Sequence, residues 1–263
     1  MTIKDLLVHV DLSKANPARM DYAFGLAEAH KAHVIGIGHA PLGIDALRNE
    51  ARETLEKFAS TGKRHGLSVE TRLIECKIGD LPEELAVHVR YTDLAVIGQP
   101  EEKGETAGLQ RALLQELLFQ SGRPVLIVPW AGTSKPSPKT VMVAWDASGT
   151  AARALADALP ILTHAKKVVI LVAIDDKPNS HGDEPGADIA LHLARHGIDV
   201  EVRRIPLGSD VSAADLLLSQ ASDLGADMMV MGGYHHSRIR EAVLGGVTRT
   251  IMETMTVPVL MSH

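Results

Sequence analysis

Two glycine pairs and an aspartate are the residues of this chain best suited to hold a ligand. The run Asp227-Met-Met-Val-Met-Gly-Gly233 is short and apolar until it stops at Gly232-Gly233. A basic segment containing His235 and His236 then leads to Gly245-Gly246-Val247-Thr248. An apolar run ending in glycine reads as a buried parallel strand meeting a loop. Gly-Gly before a helix lets backbone N–H groups come close to a ligand, and a helix N-terminus favours an anion there. The chemistry on offer is phosphate binding. Alone the pattern is weak, because glycine pairs also build ordinary turns.

Asp146 is the natural partner of these glycines. It ends the expected strand 140–145, and Gly232 ends the expected strand 228–231. In an open parallel sheet, ligands bind beyond the carboxyl ends of the strands, where the strand order reverses. Both residues then face one crevice, where an acid can accept hydrogen bonds from a ribose or an adenine edge. The bland alternative is that Asp146 caps a helix or closes an Asx-turn, which residue type alone favours and which the crevice argument brings level with a ligand contact.

The elements that must position these residues alternate strand and helix. Apolar periodicity and cap signals give strands over 3–10, 33–39, 69–74, 93–97 and 124–128, with helices between them. Ser13 or Asn16 is expected to cap the first helix and Asp80 the third. A Pro- and Ser-rich stretch, 131–139, then reads as a linker, and the pattern restarts. Strands follow over 140–145, 168–174, 200–205, 228–231 and 258–261, and the polar stretch 175–185 reads as a loop. Alternation of this kind implies right-handed crossovers and parallel sheets covered on both faces.

The restart is a duplication. Asp11-Leu-Ser13 returns as Asp146-Ala-Ser148, and His65-Gly66 as His196-Gly197. Asp93-Leu-Ala-Val-Ile-Gly98 returns as Asp227-Met-Met-Val-Met-Gly232, and Pro124-Val-Leu126 as Pro258-Val-Leu260. Four matches in one order at nearly constant offset mark a tandem repeat, with domains expected over 1–133 and 140–263. The spacing from strand four to strand five is equal in the two copies, so their loops align without gaps. Arg111-Ala112 stands opposite Gly245-Gly246, and Glu101-Glu102 opposite His235-His236. The first copy therefore lacks both glycines and carries two carboxylates where phosphate would lie. Like charges about 4 Å apart repel by roughly 4 kcal/mol at an intermediate dielectric. Polyphosphate binding is expected only in the second copy.

Other chemistry finds little support. Net charge is −6 and aromatic content 3%, which disfavours a nucleic-acid surface. One cysteine, Cys76, allows no disulfide framework, and it reads as an inert thiol. The adjacent pair His235-His236 lacks a third metal ligand, so no metal site is expected. No Gly-x-x-x-x-Gly-Lys-Ser/Thr loop and no Gly-x-Ser-x-Gly elbow occurs, and no base is paired with a nucleophile. No catalytic residue is assigned, and a weak ATPase is the most that would be expected. The first residues lack the apolar core of a secretory signal, and no apolar run approaches the roughly 20 residues of a membrane helix. A cytoplasmic protein is expected.

With the repeat and the glycine spacing established, the chain resembles the universal stress protein (UspA) family in its tandem form. Nucleotide-binding members carry Gly-x-x-Gly, nine residues, then Gly-Ser or Gly-Thr. Here the pattern reads Gly232-Gly-Tyr-His235, nine residues, Gly245-Gly246. His235 replaces one glycine and Gly246 the hydroxyl residue, with Thr248 nearby as a partial substitute. Asp146 matches the family's adenosine-contacting acid, with Ala144 and Trp145 before it, and Ala173 matches the strand-two position whose backbone meets adenine. The resemblance implies an α/β fold of two five-stranded, parallel, Rossmann-like domains with strand order 3-2-1-4-5. It implies that the strand-five segments pair to form an intramolecular pseudo-dimer, with a homodimer as a further option. It also implies an adenine nucleotide such as ATP, with Mg, held by Ala144, Trp145, Asp146, Ala173, Gly232, Gly233, His235, His236, Gly245, Gly246, Val247 and Thr248. A stress-response or signalling role follows from it, and the alternative is a scaffold that binds protein partners and no nucleotide.

Overall fold

The structure is a computed structural model that describes residues 2–131, 136–174, 184–208, 210–233 and 246–263. The chain divides into two compact units, Met1–Pro136 and Ser137–His263. The loop expected over 175–185 falls mostly outside the described residues.

In the first unit the elements are β1 (Asp5–His9), α1 (Asn16–His30), β2 (His33–Pro41), α2 (Asp45–Arg64) and β3 (Val69–Cys76). They continue with α3 (Leu81–Val89), β4 (Leu94–Gly98), α4 (Ala107–Gln120) and β5 (Val125–Val128). Its strands run in parallel in the order β3-β2-β1-β4-β5. Leu6, Leu7 and Val8 of β1 are fully buried although they alternate between the two faces, as expected for a strand covered by helices on both sides. Tyr22 and Phe24 of α1 and Phe58 of α2 are the bulkiest apolar side chains of this core.

In the second unit the elements are β6 (Thr140–Ala144), α5 (Gly149–Leu162), β7 (Lys167–Ile174), α6 (Ala187–Arg195) and β8 (Val200–Pro206). Then come α7 (Ala213–Asp223), β9 (Met228–Gly232), α8 (Gly246–Thr254) and β10 (Val259–Ser262). The parallel order is β8-β7-β6-β9-β10, the same as in the first unit. In both units strand order reverses between the first and fourth strands. Among the described residues, no helix is long and apolar enough to cross a membrane.

Two of the repeated motifs turn out to hold the fold. The Asp93 carboxylate accepts hydrogen bonds from the backbone N–H of Lys4 and Asp5 at 2.7 and 3.1 Å. Asp227 does the same for Lys139 and Thr140 at 2.8 and 3.1 Å. Each aspartate thus ties the start of its unit's first strand to the start of the fourth. The repeated His-Gly closes a helix. Gly66 and Gly197 adopt left-handed φ of 72° and 76°, and the next residue donates back into the helix, Leu67 to Gly62 and Ile198 to Leu193.

The expected caps differ from those observed. Neither Ser13 nor Asn16 caps α1, whose N-cap position is Ala15, and Asp80 makes no side-chain cap to α3. In the first unit Asn16 is drawn instead toward Asp11 and Arg19. In the second unit, Ser148 caps α5 by accepting from the Ala151 N–H at 3.0 Å.

Candidate functional site

The second unit brings most of the described candidate residues to the carboxyl edge of its sheet. Ala144 ends β6, Trp145 and Asp146 follow it, and Ala173 lies near the end of β7. Gly232 ends β9, and Gly233 donates its N–H to the Ser262 carbonyl of β10 at 2.9 Å. Helix α8 begins at Gly246, with Gly246 and Val247 exposed and Thr248 buried. His235, His236 and Gly245 lie outside the described residues.

Asp146 is exposed and combines the two roles left open by its residue type. Its Oδ1 accepts the Ser148 N–H at 3.0 Å, which is an Asx-turn, with Ala147 at a left-handed φ of 57°. This turn spends one oxygen on the backbone and leads into the Ser148 cap. Among the described residues the other oxygen has no recorded partner, so the carboxylate remains free to accept from a ligand.

Gly232 has a packing reason of its own. A Cβ at this position would lie 2.6 Å from the Ala151 backbone nitrogen and 2.7 Å from the Thr150 carbonyl carbon. The end of β9 thus runs against the first turn of α5, where only glycine fits. A Cβ at Gly246 would meet nothing within 4 Å. Of these two glycines, packing explains Gly232 and leaves Gly246, at the start of α8, unexplained.

In the first unit the equivalent acid is committed to a neighbouring side chain. Asp11, the counterpart of Asp146, pairs with the Arg19 guanidinium at 2.8 Å, and Arg19 is 2% exposed. Asn16 accepts from Arg19 at 2.9 Å. Burial opposes the charge on Asp11, but the adjacent Arg19 and the hydrogen bonds from Arg19 and Ser13 outweigh it. They hold the carboxyl well below the usual carboxylate range. Gly98, the counterpart of Gly232, is glycine here because a Cβ would collide with that guanidinium. In the same register, the position of Arg19 is occupied in the second unit by Ala154, which is fully buried. One glycine is therefore kept in both copies for two different neighbours.

The loop after β4 is closed in the same manner. The Gln110 side chain accepts the Glu101 N–H at 2.6 Å, and Arg111 donates to the carbonyls of Glu101 and Glu102 at 3.4 and 3.3 Å. Arg111, aligned with Gly245, and its neighbour Gln110 thus act as struts that consume loop polar groups. This supplies a physical basis, beyond the carboxylates, for the expectation that the first unit does not take a polyphosphate.

Sequence reasoning missed two histidines at this edge. Scattered histidines read as surface or capping residues, yet His9 is 5% exposed and stacks on His39 with ring centroids 5.7 Å apart. Burial pushes His9 down to about 3, against the pull of Asp11, and it lowers His39 as well. The signal was weak, because each histidine stands at the end of its own strand, and only the pairing of β1 with β2 brings them together. Cys76 is a free thiol at the end of β3, and burial together with Glu84 and Asp80 pushes its pKa up, as suits an unreactive side chain. Among the described residues, no group of three or more metal-binding side chains occurs.

The comparisons with known proteins agree with this architecture. The profile of the universal stress protein family matches residues 138–263. A universal stress protein from Archaeoglobus fulgidus DSM 4304 superposes with a TM-score of 0.77 at 18% identity, over 98% of this chain and 97% of that one. A functionally unknown protein from Pseudomonas aeruginosa PAO1 gives a TM-score of 0.64 at 18% identity, over 99% and 92%. The cytoplasmic domain of a prokaryotic cation chloride cotransporter gives 0.60 at 13%, over 99% and 96%. At these identities the likeness is one of fold. No curated protein matches the chain. The profile match places the second unit, residues 138–263, in the universal stress protein family, and the first unit repeats the same five-stranded parallel topology.

Proposed function

We propose that the second unit binds an adenine nucleotide, ATP with Mg among the candidates, and that the chain serves in a cytoplasmic stress response or in signalling. Asp146 carries this reading. It is exposed at the switch point between β6 and β9, and the cation that neutralises its counterpart Asp11 is replaced by Ala154. An acid without an ion pair among the described residues in one copy and ion-paired in the other fits a ligand-facing role in the first case and a structural role in the second. The start of α8 at Gly246 fits a phosphate beside it, since a helix N-terminus favours an anion. In this reading the backbone near Ala144, Trp145 and Ala173 faces the base, and Gly232, Gly233, Gly245, Gly246, Val247 and Thr248 border the phosphates. His235 and His236 lie between them in the sequence, outside the described residues.

The test is a melting curve of the full chain with and without Mg-ATP, together with mass analysis of whatever heat denaturation releases from the purified protein. A nucleotide at about a hundred times its Kd contributes roughly 2.7 kcal/mol, a rise of several degrees in the melting temperature. Gly245→Val and Asp146→Ala should each remove that rise, while Glu101→Gly should leave it intact. Release of no small molecule and no shift with Mg-ATP would overturn the reading in favour of a scaffold that acts through protein partners.

A further inference from the structure

The first unit has a pair of buried histidines where the second has alanines. His9 ends β1, and His39 stands near the end of β2. With Asp5 aligned to Thr140 and His33 to Lys167, as the strand registers require, these positions correspond to Ala144 and Ala173. The two imidazoles stack with 19° between their planes. Nε2 of His9 and Nδ1 of His39 are out of reach of solvent and have no hydrogen-bond partner. Buried polar groups are nearly always satisfied, so two orphaned nitrogens in one contact call for an explanation.

The closed arrangement has no place for a second proton on either ring. Asp11 is the acid best placed to welcome one on His9, with Oδ2 3.8 Å from Nδ1. Its Oδ1 is already taken, accepting from the Arg19 guanidinium at 2.8 Å and the Ser13 N–H at 2.9 Å. Arg19 also sets a cation beside His9, and a charged His39 would add another. Of the elements lining the spaces around the pair, α2 contributes Leu47, Ala51 and Thr54, and β4 contributes Ile97 and Gly98, none of them charged. On β3, Ile74 pairs with His39, and the next residue, Glu75, is bonded to Arg48 at 2.8 Å. The stretch before α4 brings Glu101, Glu102, Lys103 and Glu105, and the turn before α1 brings Lys14. Among the described residues, only Asp11 lies within ion-pair distance of either ring. Burial therefore keeps both rings neutral.

The pair sits where the unit is least held down. Spaces of about 400 and 770 Å³ adjoin it at the carboxyl ends of the strands, the smaller walled by Leu47, Ala51, Leu109 and Leu113. The turns after β1 and β2 leave Leu12, Leu42 and Ile44 between 45% and 57% exposed. Segments with few buried apolar contacts open at lower cost than the core. We propose that the stacked His9–His39 pair is an acid-operated latch that opens the carboxyl ends of β1 and β2 in the first unit and leaves the second unit closed. In the open form both rings reach water and regain their ordinary basicity. A proton taken there cannot be carried back beside Arg19 and the other imidazole, so acid holds the latch open. The device uses no residue of the second unit and is independent of the nucleotide reading.

Hydrogen exchange of the full chain tests this, read by mass spectrometry at pH 7 and pH 5 and corrected for the intrinsic rate at each pH. Carboxylates stay ionised across this range, so histidines dominate the change. A ring of pKa 6.5 when exposed and about 3 when enclosed favours the open form about twentyfold more at pH 5 than at pH 7. Protection in peptides covering 5–15 and 33–42 should fall by that factor or more, since His39 adds to it. Peptides covering 140–150 and 167–174, the internal control, should change by under about twofold. His9→Gln with His39→Gln, which leaves His88 of α3 to titrate, should limit the fall in the first unit to under about threefold. Should that double variant not fold, His39→Gln alone should still give a smaller fall than the unaltered protein. Equal loss of protection in both units, a loss spread evenly over the first unit as far as β5, or a fall that neither variant reduces would each overturn the proposal.

Discussion

At the scale of single residues, the two copies show how one amino acid can be retained for unrelated reasons. Gly232 and Gly98 end equivalent strands, yet the first accommodates the backbone of α5 and the second the guanidinium of Arg19. Gly232→Ala should therefore destabilise the second unit by about 1–3 kcal/mol, because its Cβ would meet main-chain atoms of Thr150 and Ala151 that cannot move aside. Gly246→Ala meets open space and should change stability by under about 1 kcal/mol while weakening nucleotide binding if α8 meets phosphate there. Denaturant midpoints for the two variants, beside their Mg-ATP shifts, separate the packing glycine from the ligand glycine. Equal destabilisation by both would contradict the assignment.

At the scale of elements, the pairing of β1 with β2 makes the first unit sensitive to acid. His9 is buried beside Asp11, Arg19 and His39, and its folded pKa of about 3 lies below its ordinary value of 6.5. The unfolded chain therefore binds the proton first. Stability present above about pH 6.5 is lost progressively as the pH falls toward 3. At pH 4.5 the loss from His9 alone amounts to roughly 2–3 kcal/mol by linkage. Asp11, whose pKa is also depressed, adds a loss of the same sign once the pH drops below the ordinary carboxylate range. His9→Gln cannot titrate, so between pH 7 and 4.5 its urea midpoint should fall by less than that of the unaltered protein. Parallel falls would show that His9 is not the group responsible. The elements themselves were largely legible in the sequence, since apolar runs and glycine stops mark each strand to within a residue or two. The caps were less legible. Asn16 has the chemistry of a helix cap, and its recruitment by Asp11 and Arg19 depends on where those side chains lie.

At the scale of the whole molecule, the duplication raises the question of how the two halves associate. The sequence leads to the proposal that the strand-five segments 125–128 and 259–261 pair, because each is apolar and would otherwise be an open edge. A protease site inserted between Thr133 and Ser134 tests this directly. After cleavage the halves should co-elute near the 28.2 kDa of the intact chain. Ile127→Lys with Leu260→Lys should separate them while each half keeps its circular dichroism. Separation of the unaltered halves after cleavage would exclude the pairing.

By itself the sequence determined the tandem repeat, the five-stranded parallel topology of each unit and the loss of the glycine loop from the first copy. All three are written in local order, through apolar period, glycine position and constant offset, and need no knowledge of distant contacts. Only the tertiary structure decided what those residues touch. It assigned Asp93 and Asp227 to strand anchoring, gave Gly232 a packing role, and set Arg19 against Asp11 where the second copy has Ala154. It also brought His9 and His39 together beside an apolar cavity. Each of these depends on side chains that are distant in sequence but neighbours across the sheet, and the parallel crossovers that make them neighbours leave no mark on the spacing of either residue.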